Sequence, residues 1–357
     1  MIGLIFVGDI NDCPYMGHYI KKLQQFNIEY KVLFWNRKGI EYLNNNYIGY
    51  NYKTSYREMK IIKLVQFVGF STWVNRKIDE LGFDKLILLS TLSGMIINKK
   101  NINKYNVKML FEVRDYSYEH ILPFKLKEKV IMESAFLTVI SSEGFLSFLP
   151  KTDNYVICHN LSNDEEFINY INRDTNHINI VWNGVIRYYS NQINLIKGIA
   201  NNKRITLSYY GDGPDKERLE SFCINNRINN VKFYGRYYKN QKKEILVKSN
   251  IIHNNYGDKP KSELKYAISN KYYDSIIYGI LQIVEPNTLK SNLVEKHNLG
   301  FSVDLRKEFL EKLIILFDNF DYEVFDQNRK FLYDKYIREN EYYYNKIEKF
   351  IIGSDLN

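Results

Sequence analysis

Short apolar runs alternate with helix-length segments along this chain, and the series occurs twice. In the first half the runs are Ile2–Val7, Tyr30–Trp35, Lys85–Leu89, Val107–Val113, Phe136–Ile140 and Tyr155–Cys158. Helical segments lie between them at Tyr15–Phe26, Arg57–Leu81, Phe124–Ser134 and Ser142–Leu149. Runs that are apolar throughout, rather than at every second position, are what parallel strands covered on both faces require. A polar stretch, Asn160–Asn176, reads as a linker with room for one short helix. The alternation then restarts, with strands at Ile178–Trp182, Arg204–Tyr210, Val231–Tyr234, Ile251–His253, Leu281–Val284 and Phe301–Val303. Its helices read at Gln192–Ala200, Lys216–Asn226, Lys242–Lys248, Lys265–Tyr278 and Leu289–Lys296. The pattern predicts two doubly wound α/β domains facing a central cleft, with ligands at the carboxyl ends of the strands. Their expected extents are 1–160 and 178–325. Lys307–Asp318 and Asp326–Ile351 read as charged surface helices, the stretch 326–357 packing back across the hinge.

At 357 residues, 45 % of them hydrophobic, the chain can fill two cores. Cys13, Cys158 and Cys223 lack the spacing of a disulfide framework or a zinc site, which suits a reducing compartment. The apolar start has no basic leader and is cut short by Asp9 and Asp12, so it reads as a strand and not a signal peptide. No segment approaches the roughly 20 apolar residues of a membrane span. A cytoplasmic protein is expected. The net charge of +9 favours anionic partners such as phosphorylated small molecules. The excess is spread out, without a Lys/Arg block, and no nucleic acid partner is expected.

The most informative segment is Ser208–Leu219, a strand followed by Gly211-Asp212-Gly213-Pro214 and a helix opening with charged residues. Glycines permit positive φ and let a ligand approach the backbone, and Pro214 suits a first helical position. An ordinary strand-to-helix turn has the same composition. A second strand closes on Gly235-Arg236, a commonplace ending by itself. In the third segment Ser269 or Asn270 caps a helix that runs to Gly279, leaving N–H groups and a positive dipole end for an anion. Lys271 adds a mobile charge at that end. Asp274, one turn on, is placed to accept both hydroxyls of a ribose. A capped helix with an acid in its first turns also stands without any ligand.

In this order and spacing the segments resemble the nucleotide-binding domain of family 4-type glycosyltransferases, whose GT-B fold pairs two Rossmann-like domains. Val181-Trp182-Asn183-Gly184 followed by Arg187, then Gly211–Pro214, Phe233–Gly235 and Asp274–Gly279 fall in the family's places, over about residues 178–304. The first half corresponds by pattern only. Two features depart: the family's usual pair of Glu at the donor helix becomes Tyr266 and Asp274, and the basic residue that directly follows the strand's Gly is displaced to Arg187, with Lys197 in the next helix. The resemblance implies a hexosyl- or N-acetylhexosaminyltransferase, retaining and metal-independent. Its donor would be a nucleoside-diphosphate sugar, UDP-sugar favoured, and its acceptor a glycan or lipid-linked molecule in capsule, lipopolysaccharide or exopolysaccharide assembly. No cofactor is implied, and the chain has no Asp-x-Asp motif to hold a metal. In the implied donor site Arg187 and Lys271, with N–H groups near Ser269 and Asn270, stabilise the leaving diphosphate. Gly184, Gly211 and Gly213 line it, Gly235 and Arg236 meet the base, and Asp274 holds the ribose. Two alternatives are a nucleotide-sugar epimerase of the same fold and a binding or scaffold protein on a degenerate form of it.

In the first half, the strand Val107–Val113 runs into Arg114, Asp115 and His120. Glu112, Asp115 and His120 are candidates for acceptor contacts or proton removal; an ion-pair cluster of Glu112, Arg114 and Asp115 is the equal alternative. Gly8 and Asp9 open a loop that suits donor phosphates or acceptor. In the helix from Arg57, the set Ile61, Val65 and Val68 makes one apolar stripe, and Lys60, Lys63, Phe67, Phe70 and Val74 make a second, mixed one. The mixture suits peripheral contact with an anionic membrane on its cytoplasmic face. A helix buried on two sides with snorkelling lysines reads the same way.

Overall fold

A computed structural model describes residues 1–40, 44–52, 60–161, 166–169, 174–257, 265–266 and 268–353. The chain divides into two compact units, Met1–His159 with Glu339–Asn357, and Asn160–Arg338. The first contains a seven-stranded sheet of β1 (Ile2–Phe6), β2 (Tyr30–Asn36), β3 (Tyr47–Asn51), β4 (Lys85–Leu88), β5 (Met109–Val113), β6 (Leu137–Ile140) and β7 (Tyr155–Ile157). Its order is β3-β2-β1-β4-β5-β6-β7 and its pairings are parallel. The second contains β8 (Ile178–Asn183), β9 (Ile205–Tyr210), β10 (Val231–Gly235), β11 (Ile251–His253), β12 (Leu281–Val284) and β13 (Gly300–Ser302). They pair in parallel in the order β10-β9-β8-β11-β12-β13. Both units are doubly wound and Rossmann-like, as the alternation predicts. The inner strands are buried on both faces, Leu4, Ile5, Ile87 and Ile283 being fully enclosed.

The differences from the sequence reading lie where burial is one-sided or elements are short. β3 is absent from that reading because its Tyr-Ile-Gly-Tyr-Asn is a half-exposed edge strand, which needs no apolar run. The short helices Thr91–Met95 and Lys99–Lys104, capped by Ser90 and Asn98, are too brief to show a period. Ser142–Leu149 holds only a 3-10 turn at Glu143–Ser147. Pro214 is not a first helical residue: the helix is Lys216–Asn225, with Asp215 at its N-cap. Nor does one helix span Lys265–Tyr278. Ser269 is extended and the helix is Asn270–Tyr278, while residue 267 lies outside the described residues.

The helix expected from Arg57 is described as Lys60–Leu81; Arg57 and the side chains of Lys60 and Ile61 lie outside the described residues. Neither stripe holds as drawn, since Phe70, Val74 and Ile78 are buried while Val65 and Val68 are exposed. Of the expected linker, 162–165 and 170–173 lie outside the described residues. Its remainder is tied into the second unit, where Ile168 N–H donates to Ile277 O at 3.0 Å.

The final helix, Tyr322–Ile352, is not a surface element. Phe325, Leu332 and Tyr336 belong to the core of the second unit, and Tyr343, Ile347, Phe350 and Ile351 to that of the first. Its Arg329 is fully buried, donating to the carbonyls of Ile276 and Ile168 at 3.1 and 2.7 Å. Charges at this density hid an apolar stripe that two cores share. No helix among the described residues is long and apolar enough to cross a membrane.

Candidate functional site

In the second unit the strand order reverses direction between β8 and β11, which opens a crevice at the carboxyl ends of the sheet. A cavity of about 630 Å³ lies there. Trp182 to Val185 and Arg187 reach it from the end of β8, Tyr256 from the loop after β11, and Lys290 from the helix after β12. Tyr237, Lys239 and Lys242 come from beyond β10, and Ser269, Asn270, Lys271 and Asp274 from the start of helix Asn270–Tyr278. The break before Asn270 is what points this helix's positive end into the cavity. Ser269 does not cap it through its side chain; the hydroxyl donates to Asn254 Oδ1 at 2.6 Å.

Among the described residues, five cationic side chains, Arg187, Lys239, Lys242, Lys271 and Lys290, and one carboxylate, Asp274, line the cavity. Lys271 is 5 % exposed. Its ammonium donates to His253 O at 3.2 Å and stands 3.0 Å from the centre of the Trp182 ring. Burial, and next the neighbouring Lys290, hold it well below the ordinary lysine range. Lys290 is also lowered by burial, although Glu285 Oε1 lies 3.1 Å away. Its chain of contacts includes Asn254 O at 2.5 Å and the Tyr256 ring at 4.3 Å. Below them His253 is fully enclosed, and burial followed by the two lysines drives its pKa far down, so it is a neutral imidazole. Concentrated positive charge in low dielectric, with little carboxylate to balance it, suits a polyanionic ligand.

Asp274 is fixed from two sides. Lys242 Nζ lies 2.6 Å from Oδ1, and Asn183 Nδ2 donates to Oδ2 at 3.2 Å. Arg187 is exposed at the cavity's mouth, its guanidinium 4.9 Å from the Tyr188 ring. Lys197 is not among the lining residues; it stands over Phe222 at 5.7 Å.

Gly211, Gly213, Gly235 and Arg236 do not line the cavity either. Gly211 has φ +145°, and a Cβ there would come 1.9 Å from Gly184 O; a Cβ on Gly213 would come 2.3 Å from Ile186 O. The two glycines let the turn after β9 close on the turn after β8. Backbone bonds from Gly184 N to Tyr210 O and from Ile186 N to Asp212 O, each 2.9 Å, join the two. The motif therefore shapes the loop that carries Arg187. Arg236 is an exposed partner of Asp212 at 3.2 Å.

In the first unit Glu112 is fully buried, with Arg114 Nε 2.5 Å from Oε2 and the Tyr19 hydroxyl donating to Oε1. The Tyr343 hydroxyl donates onward to Tyr19 at 3.2 Å. Glu112 thus anchors the end of β5, forming the ion pair with Arg114. Asp115 and His120 are exposed on the loop that follows, the His120 ring 6.4 Å from that of Tyr116. Asp9 is 1 % exposed and accepts from Asn11 N at 3.3 Å, capping a 3-10 turn. Gly8 precedes it, against the Phe6 ring.

Lys242, Tyr256 and Lys290 were not singled out by sequence reasoning, and Trp182 and Asn183 entered it only within the run Val181–Gly184. The position of Lys290, in the first turn after the Thr288 cap, is the one signal that pointed to it. Among the described residues no group of three or more His, Cys, Asp or Glu side chains gathers as a metal site.

No family model and no curated protein matches the sequence. Solved structures match it over nearly its whole length. One is Anabaena HepE in complex with UDP and glucose, with a TM-score of 0.61 at 11 % identity, covering 97 % of this chain and 98 % of that one. Sucrose-phosphate synthase from Thermosynechococcus elongatus gives 0.63 at 13 %, over 99 % and 94 %. The apo form of the lipopolysaccharide outer core galactosyltransferase WaaB gives 0.62 at 13 %, over 99 % of each chain. At such identities the likeness is one of fold: the two Rossmann-like units are those of the GT-B fold.

Proposed function

We propose that the chain is a glycosyltransferase whose second unit binds a nucleoside-diphosphate sugar, with UDP-sugar favoured. The observation that carries this reading is Lys271, a cation enclosed at a helix N-terminus in a cavity with four other cations. The solved structures of the same fold with UDP and glucose or UDP-glucose support the choice of ligand. Lys271 and Arg187, with the first-turn N–H groups of helix Asn270–Tyr278, are assigned to the diphosphate. There they stabilise the charge that develops on the leaving group, worth about 3 kcal/mol for one well-placed donor. Asp274, steadied by Lys242 and Asn183, is assigned to the ribose hydroxyls, and the strand-end loop at Gly235 and Arg236 to the base.

The transfer is proposed to retain anomeric configuration and to need no metal, the lining cations meeting the diphosphate. The sugar is a hexose or N-acetylhexosamine, passed to a glycan or lipid-linked acceptor in surface-polysaccharide assembly. The first unit is assigned to the acceptor, through Asp115 and His120 after β5, with the Gly8-Asp9 turn after β1 assigned to donor phosphates or acceptor. A peripheral place on the cytoplasmic face of a membrane fits a lipid-linked acceptor.

A thermal-shift screen of nucleotide-sugars is the direct test, because a bound ligand raises stability by mass action. Stabilisation by UDP or a UDP-sugar is expected, and no shift with any nucleotide contradicts the reading. An epimer formed from donor alone would instead mark an epimerase. Asp274→Asn is expected to weaken UDP binding about tenfold and to erase any preference over 2′-deoxy-UDP. Calorimetry showing an unchanged Kd removes the ribose assignment.

A further inference from the structure

Ser269 stands at the N-cap of helix Asn270–Tyr278 with an extended backbone, φ −79° and ψ 159°. A serine there ordinarily caps the helix, its hydroxyl oxygen accepting from an N–H two or three residues on. This one makes no such bond. Its hydroxyl donates instead to Asn254 Oδ1 at 2.6 Å, and the Tyr256 hydroxyl is its second partner. Among the described residues the N–H groups of Asn270 and Lys271 have no hydrogen-bond acceptor, while that of Tyr272 donates to Ser269 O at 3.0 Å. A helix start left open in this way is what an anion requires.

The group that turns the serine away is itself tightly held. Asn254 is fully enclosed directly after β11. Its N–H donates to Ile283 O and its Nδ2 to Gln282 Oε1, each at 2.9 Å, and both partners lie on β12. Lys290 Nζ donates to Asn254 O at 2.5 Å and to Oδ1 at 3.4 Å. An ammonium can only donate, so the atom shared by Lys290 and Ser269 is the amide oxygen, and the serine must supply the hydrogen. The amide cannot rotate without leaving polar groups unpaired inside the protein, which is costly. Asn254 is not among the residues lining the cavity, so any influence on a ligand passes through Ser269.

We propose that Asn254 is a positioning residue of the donor site: by holding the Ser269 hydroxyl, it keeps the first-turn N–H groups of helix Asn270–Tyr278 open to the diphosphate. A serine released to cap the helix would put its oxygen where a phosphate oxygen must come, and the ligand would have to displace it. The inference rests on the assignment of the diphosphate to this helix. Its test is a double-mutant cycle, with UDP binding to the full chain measured by calorimetry. Asn254→Ala is expected to weaken binding about fivefold, the equivalent of displacing a cap worth about 1 kcal/mol. In a chain that also carries Ser269→Ala, the same substitution is expected to cost less than about twofold, because alanine cannot cap. A role of Asn254 in packing alone would cost the same in both backgrounds. Should Asn254→Ala not fold, Asn254→Ser takes its place, its oxygen one bond nearer the backbone and short of Ser269. Equal losses in the two backgrounds overturn the proposal, as does wild-type affinity in the Asn254 variant. So does abolished binding in Ser269→Ala alone, since the hydroxyl then serves the ligand directly. A wild-type chain that binds no UDP overturns the donor-site reading itself, and this inference with it.

Discussion

Lys271→Met is expected to cost about a hundredfold in UDP affinity, the equivalent of roughly 3 kcal/mol, while making the empty protein more stable. The two effects share one cause. The ammonium is enclosed beside Lys290 and over Trp182, with its described hydrogen bond going to a backbone carbonyl. Such a charge is costly to keep, and a methionine of similar length fills the space without it, a gain of roughly 1–3 kcal/mol. Bound diphosphate turns the same charge into an attraction. The sign of the pH dependence follows. Between the depressed pKa of Lys271 and its ordinary value, the unfolded chain holds more protons than the folded one. This residue therefore makes the empty protein more stable as pH rises, and the variant loses that slope. In the same interval, ligand binding takes up a proton and weakens as pH rises. Calorimetry with UDP in buffers of different ionisation enthalpy, alongside melting curves, measures both. Wild-type affinity in the variant, or a lower melting point, contradicts the assignment.

Glu128→Gln is expected to remove a loss of stability that runs from about pH 4.5 up to about pH 8. The carboxyl is fully buried, and among the described residues neither of its oxygens has a hydrogen-bond partner. Burial, and next the carboxylate of Glu119, push it from 4.5 up to about 8. The folded state thus holds this proton more tightly than the unfolded chain. Its contribution is complete below the unfolded value and is lost as pH climbs through the interval to the folded one. Each pH unit of that interval is worth about 1.4 kcal/mol, so the loss is on the order of several kcal/mol. The amide keeps the shape and cannot ionise. At about pH 8 the variant should melt several degrees above wild type, the gap closing towards about pH 5. Parallel melting profiles for the two proteins would show that the buried carboxyl does not govern this slope.

The strands were legible because parallel strands buried on both faces leave continuous apolar runs. Ile251–His253 and Leu281–Val284 are read with their observed limits. β3 was not, since an edge strand shares its sequence character with a loop. For the site, the spacing around Gly184, Lys271 and Asp274 picked out residues that line one cavity. It did not reveal what steadies Asp274. Lys242 precedes it on a different helix, and only the order of the sheet brings the two within 2.6 Å. Tyr256, which lines the cavity, was lost in a chain with 31 Tyr and 21 Phe, where no single ring stands out. The turn Gly211–Pro214 was found for its glycines, yet their small size serves the meeting of two backbones. Tyr266, the departure at the family's first Glu, is not among the residues lining the cavity.

The closing helix gives synthesis an order that folding cannot follow. Tyr343, Ile347 and Phe350 complete the core around Tyr19 and Leu23, although everything from Asn160 to Arg338 is translated between them. On the ribosome the earlier-made part of the first unit has its apolar groove open until the later-made helix emerges to fill it.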